Sequence, residues 1–232
     1  MSGTGRPARA GLVAAVFVAG LAAGCGGHSS KTTGPTTASG ANARVTAVGD
    51  SITAGKAPIA PYPPRLETLL RRRNPDAHVI NRGVGGQTTA GGLDTLATAL
   101  PVDQSGFVVI LEGTNDVNVG IHPAESAGNL RQMVSLARRN AAVPVLATIP
   151  PQLGPRSDFM PGVVALNDAI RRVAAEENVV LADVFAAIPD ESYLTSDGFH
   201  PNDQGEMAIA VVFESALVRA GYPTARLVAR TR

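Results

Sequence analysis

Residues 45–55 read VTAVGDSITAG: an apolar run, a sharp turn, and one serine, Ser51, presented where the run stops. Val45, Ala47 and Val48 have the character of a buried strand, Gly49 lets the backbone turn, and Thr53-Ala54-Gly55 opens a helix or loop. Open α/β sheets form their binding crevice at the carboxyl ends of the strands, so a hydroxyl placed here is a candidate nucleophile. Its partners should come from the ends of other strands.

Outward from this stretch the chain alternates. Pro63 and Pro64 stand at a helix start, Leu66, Leu69 and Leu70 recur at helical spacing, and Asn74-Pro75 ends the segment. Residues 77–81 (AHVIN) read as a second strand, entered near His78, then come the glycine-rich turn 82–88 and a helix carrying Leu93, Leu96 and Leu100. FVVIL at 107–111 is a continuous apolar run of the kind buried on both faces of a parallel sheet, and the polar residues Glu112 to Asp116 follow at once. Pro123, capped by His122, opens a helix with Leu130, Met133 and Val134; residues 143–149 (VPVLATI) give a fourth strand. A helix with Val163, Leu166, Ile170 and Val173 leads to a fifth strand at 179–184 (VVLADV). The last helix is expected to begin near Asp203, with Glu206 completing a capping box, and to run to about Gly221. Five strands alternating with helices, without an internal repeat, predict a single three-layer α/β/α domain over residues 44–221. Its sheet should be parallel and five-stranded, with the flavodoxin-like order 2-1-3-4-5.

The flanks read differently. Arg6 and Arg9 precede the apolar run Gly11 to Ala23, which has the pattern of a secretory signal and falls short of the roughly 20 apolar residues of a membrane span. Leu21-Ala22-Ala23-Gly24-Cys25 resembles the bacterial lipoprotein signal, although that pattern prefers leucine three places before the cysteine, where Ala22 stands. On this reading residues 1–24 are the signal peptide and Cys25 is lipidated. Residues 25–43 are then a small, polar tether, residues 222–232 a tail, and the membrane is a partner through the Cys25 anchor; plain export is the alternative. Cys25 is the only cysteine, so no intramolecular disulfide forms. Without residues 1–24 the chain carries 18 Lys and Arg against 19 Asp and Glu, a formal charge of −1 that gives nucleic-acid binding no support. The full chain, with 44% hydrophobic and 17% charged residues, has the ordinary composition of a globular protein, and the domain is expected as a monomer.

Two apparent cofactor signatures fail on inspection. Residues 49–56 suggest a phosphate loop, but the second glycine comes one place late and Ala57 stands where Ser or Thr belongs. Gly83-Val84-Gly85 lacks the third glycine of a dinucleotide fingerprint, and the four histidines are scattered without HExxH spacing, so neither a cofactor nor a metal is expected.

The residues that carry chemistry lie after the strands. Asp197 and His200 stand three apart across a glycine in LTSDGFHPN (194–202), a spacing that lets the carboxylate accept the imidazole Nδ1 proton and leaves Nε2 to take a proton from Ser51. The Ser51 and Gly86 backbone N–H groups and the Asn115 side-chain amide are candidate oxyanion donors. Taken alone, each piece has an ordinary structural use: a serine caps a turn, a histidine before proline sits on the surface, and Asn-Asp makes a turn.

Together, Gly49-Asp50-Ser51, Gly86 in its glycine-rich turn, Gly113-Thr114-Asn115-Asp116 and Asp197-Gly198-Phe199-His200-Pro201-Asn202 resemble the SGNH hydrolases, also called GDSL esterases or lipases. The resemblance spans residues 44–221 and implies Ser51 as nucleophile, Asp197 and His200 as its triad partners, and Gly86 and Asn115 in the oxyanion hole. Gly83 and Gly85 compete with Gly86 for that role. Asp50 and Asp116 are expected to hold loops. The implied activity is hydrolysis of carboxylic esters through an acyl-enzyme; acyl transfer by the same triad and silent binding of an ester, lipid or glycan are the alternatives. The Pro-rich segments 56–64 and 151–161 should shape the pockets.

Overall fold

The structure, a computed structural model, describes residues 42–224; the expected signal peptide, Cys25, most of the tether and residues 225–232 lie outside the described residues. In chain order the elements are β1 (Arg44–Gly49), α1 (Ser51–Ala54), α2 (Tyr62–Arg71), β2 (His78–Gly83), α3 (Thr89–Asp103), β3 (Phe107–Leu111), α4 (Thr114–Asn118) and α5 (Pro123–Arg139). Then follow β4 (Val143–Ala147), α6 (Met160–Glu176), β5 (Val180–Ala182), α7 (Val184–Ala187) and α8 (Asp203–Arg219).

All five strands are parallel in the order β2-β1-β3-β4-β5, as expected from the alternation. Every residue of β3 is buried because helices cover both faces. Phe107, Val109 and Leu111 face the layer of α2 and α8, where they join Leu66, Leu70, Phe213 and Leu217. Val108 and Ile110 face α3, α5 and α6, with Leu96, Leu130, Met133, Leu166 and Ile170. This period of two across a fully covered strand makes FVVIL uniformly apolar.

The boundaries move in places. β2 runs to Gly83, past the expected Asn81, because Val48 and Gly49 of β1 still pair with Arg82 and Gly83. β5 stops at Ala182, where Asp183 caps α7 by accepting the Ala186 N–H. The expected tail and tether also lose residues to the domain. Tyr222 is buried, packs 5.2 Å from the Phe107 ring, and donates its hydroxyl to the Ala43 carbonyl at 2.7 Å. The capping box is a correction too. Asn202 is the cap of α8, accepting from Gln204 and Gly205 N–H at 3.0 and 3.1 Å, which leaves Glu206 one residue too deep to reach back to it. His122 does cap α5, through Nδ1 to the Ala124 N–H. No helix among the described residues is long and apolar enough to cross a membrane.

Candidate active site

Ser51 is the first residue of α1, directly after β1, and Asp50 caps that short helix by accepting the Ile52 N–H at 2.9 Å. Strand and cap together fix the serine hydroxyl at the sheet edge. Its Oγ lies 2.9 Å from His200 Nε2, across 149 residues of sequence. His200 Nδ1 lies 2.7 Å from Asp197 Oδ2. The expected serine, histidine and aspartate are therefore in one hydrogen-bonded line.

Asp197 is held by its own loop. Its Oδ1 accepts from the Thr195 hydroxyl at 2.7 Å, the Phe199 N–H at 3.2 Å and the His200 N–H at 3.0 Å. Partial burial pushes the Asp197 pKa up, but the hydrogen bonds from the His200 backbone and ring, Thr195 and Phe199 outweigh it and hold the carboxyl well below the usual carboxylate range. Lys56 Nζ, on an exposed side chain, also reaches Oδ2 at 3.1 Å. The other face of the loop is covered by the segment after β4: Leu153 N–H donates to the Gly198 carbonyl at 2.8 Å, and the Arg156 guanidinium sits 4.5 Å over the Phe199 ring. That segment contains a 3-10 helix, Gly154–Phe159, and its Pro161 already lies in α6, so the expected open loop 151–161 is mostly helical.

The oxyanion candidates come from the two turns beside Ser51. Asn115 sits in α4 and gives one amide hydrogen to the Gln87 carbonyl at 2.9 Å, which leaves its second N–H available. Gly86, exposed with φ +81°, precedes Gln87 in the turn after β2. Gln87 Nε2 ties that turn to the Gly49 carbonyl at 2.8 Å and to Glu112 Oε1 at 2.6 Å. Of the competing glycines, Gly83 is a sheet residue whose N–H is taken by Asn81 Oδ1 at 2.8 Å.

Asp50 and Asp116 hold loops, as expected. Asp116 accepts from the Thr89 N–H, the Thr89 hydroxyl and the Ser126 hydroxyl at 2.8, 2.6 and 2.6 Å. Sequence reasoning missed Glu112, Gln87, Lys56 and Glu206. Glu112 is buried against Gln87 of the turn after β2; burial first, then repulsion from Asp50, raises its pKa well above the usual value. Among the described residues no group of three or more His, Cys, Asp or Glu side chains is placed to hold a metal ion.

A cavity of about 260 Å3 opens beside the serine, lined by Ser51, His200 and Asp197 together with the Lys56–Ile59 turn, Thr195 and Glu206. The expected Pro-rich segment 56–64 thus contributes to a pocket. The arrangement can activate a hydroxyl and stabilise an oxyanion next to a small binding space.

The model of the GDSL-like lipase/acylhydrolase family matches residues 47–208. An arylesterase of Vibrio mimicus is 31% identical over 188 residues, covering 78% of this chain and 92% of that protein. Esterase TesA of Pseudomonas aeruginosa is 33% identical over 160 residues, covering 66% and 77% respectively. A crystal structure of the lipase/acylhydrolase from Enterococcus faecalis superposes with a TM-score of 0.68 at 25% identity, covering 77% of this chain and 95% of the other.

Proposed function

Because this chain belongs to the GDSL-like lipase/acylhydrolase family, we propose that it hydrolyses carboxylic esters through an acyl-enzyme formed on Ser51. Ester hydrolysis as such follows from its relatives; the proposal concerns the atoms that perform it and the place where it happens.

His200 Nε2 takes the Ser51 proton as Oγ attacks the ester carbonyl carbon, and Asp197 keeps the ring in the tautomer that leaves Nε2 free. The carbonyl oxygen becomes an oxyanion, met by the Ser51 and Gly86 N–H groups and the remaining Asn115 N–H. As the carbon–oxygen bond to the alcohol breaks, His200 returns the proton to the leaving oxygen. Water then attacks the acyl-serine with His200 again as base, the acid leaves, and Ser51 recovers its hydrogen. No cofactor enters the sequence. The observation that carries this reading is the unbroken line Ser51 Oγ, His200 Nε2, His200 Nδ1, Asp197 Oδ2 at 2.9 and 2.7 Å.

The enzyme works as a monomer outside the cytoplasmic membrane, held there by acyl chains on Cys25. This reading is supported by the Arg6, Arg9, Gly11–Ala23 and Cys25 pattern. Cys25→Ala should shift the protein from the membrane to the soluble fraction of producing cells; equal membrane retention would remove the anchor.

The first test is hydrolysis of p-nitrophenyl acetate, butyrate and octanoate by the purified protein, with Ser51→Ala beside it and circular dichroism to check folding. Turnover that disappears in a folded Ser51→Ala is expected. A folded wild type inactive on all three esters, yet able to acylate an added alcohol from a thioester, would make the protein an acyltransferase instead.

A further inference from the structure

Glu206 is 3% exposed, on the first turns of α8, where helical spacing from Ile209, Ala210 and Phe213 turns it toward the sheet. It lines the same cavity as Ser51 and His200, and its Oε2 is buried without a hydrogen-bond partner. A buried carboxyl oxygen without a partner is destabilising, and a bound polar group would offset that cost. The cap of α8 is Asn202, so Glu206 is not needed there.

The cavity's position in the site says what that group belongs to. During collapse of the tetrahedral intermediate, His200 Nε2 must reach the leaving oxygen, so the alcohol part of the ester lies where Ser51 and His200 both face. That is this cavity. Gly86 and Asn115, the oxyanion donors, are not part of its wall.

We infer that the Glu206 cavity is the subsite for the leaving alcohol and that Glu206 Oε2 hydrogen-bonds a second hydroxyl on that alcohol, selecting esters of polyols such as glycerol or a sugar over alkyl esters. The inference rests on the assignment of Ser51 and His200 above.

The charge of the surroundings fits a neutral hydroxyl and not a cation. Burial pushes the Glu206 carboxyl up to about 8, with Asp50 and Asp203 adding to the rise and the Tyr62 N–H and the Arg65 charge on α2 opposing it. Near neutral pH the group is a carboxylic acid, a donor and an acceptor at once, as a hydroxyl is. Lys56, also in the cavity wall, presents a positive charge that an alcohol bearing an ammonium group would meet.

The experiment compares kcat/KM on two esters with one acyl group, 2,3-dihydroxypropyl butyrate and propyl butyrate, for the wild type, Glu206→Gln and Glu206→Leu. The wild type should prefer the glyceryl ester by about tenfold or more, the range for one hydrogen bond made to a buried acid. Glu206→Leu should bring that ratio near one, and Glu206→Gln, which keeps a donor and an acceptor, should hold it within about threefold of the wild type. A purely structural Glu206 would leave the ratio alone, so equal losses on both esters overturn the inference. If Glu206→Leu does not fold, a wild-type ratio near one overturns it just as well. Labelling of Ser51 by a fluorophosphonate separates the two levels. Without it the serine assignment itself fails; with it, a missing preference refutes the subsite alone.

Discussion

Asp197 divides its carboxylate between two tasks. Oδ1 collects three hydrogen bonds from its own loop, and Oδ2 faces the His200 ring. Asp197→Asn would put an amide near Nδ1 that cannot stabilise the imidazolium, while Thr195 and the two backbone donors could still hold the loop in shape. We expect kcat to fall by about 10⁴-fold with the fold intact by circular dichroism; a loss below about tenfold would mean that His200 is oriented by something else. In the proposed mechanism Asn115 serves the opposite end of the reacting carbonyl. One of its amide hydrogens is committed to the Gln87 carbonyl, so the other alone is available to a developing oxyanion. Asn115→Ala should lower kcat about 10²- to 10³-fold and change KM little. If steady-state kinetics show the loss mainly in KM, the amide binds the ground-state ester.

The elements put these groups at one edge by close approach of backbone. Gly198, between the aspartate and the histidine, has φ +82°, and a Cβ there would come within 2.2 Å of the Leu153 carbonyl oxygen. Gly198→Ala therefore must push the catalytic loop off the segment after β4. We expect at least about 2 kcal/mol of lost stability in urea titration and a loss of activity larger than the unfolded fraction explains; full activity in a destabilised variant would show that the loop moves without moving His200. What was legible in the sequence divides along the same line. FVVIL and VTAVG announced their strands because both faces are covered, and the helix at Pro123 announced itself by its proline and cap. Asp197 and His200 were legible because three residues of one turn make their contact, and Ser51 because it ends a strand. Gln87 and Glu112 were not, since their bond spans 25 residues and joins two turns that local patterning treats separately. Glu206 could have been found: its helical phase with Ile209, Ala210 and Phe213 marks it as inward, but an acid three residues after Asp203 also matches a capping pattern, and only the true cap, Asn202, separates the two readings.

Across the whole molecule, burial keeps protons on acids that the unfolded chain would release. Asp50 is pushed up to about 6 and Glu206 to about 8, both chiefly by burial, and Glu112 is raised well above its ordinary value for the same reason. Between about pH 4 and 8 the native state thus binds more protons than the unfolded chain, so the free energy of unfolding falls as pH rises. Asp197 has the opposite sign: held below its ordinary value, it contributes stability above about pH 4 and loses it as the solution becomes more acid. The two trends meet near pH 5, where the thermal midpoint should be highest. Glu206→Gln removes the group with the widest window. Its midpoint should match the wild type near pH 5 and exceed it by on the order of 5 °C at pH 8.5, because the variant no longer has a proton to lose. Circular dichroism melts at half-unit intervals from pH 4.5 to 9 would measure both curves; parallel curves, or a wild-type midpoint that rises from pH 5 to 8, would mean that Glu206 is ionised in the folded protein, and a carboxylate on the cavity floor would then favour a cationic alcohol over a neutral polyol.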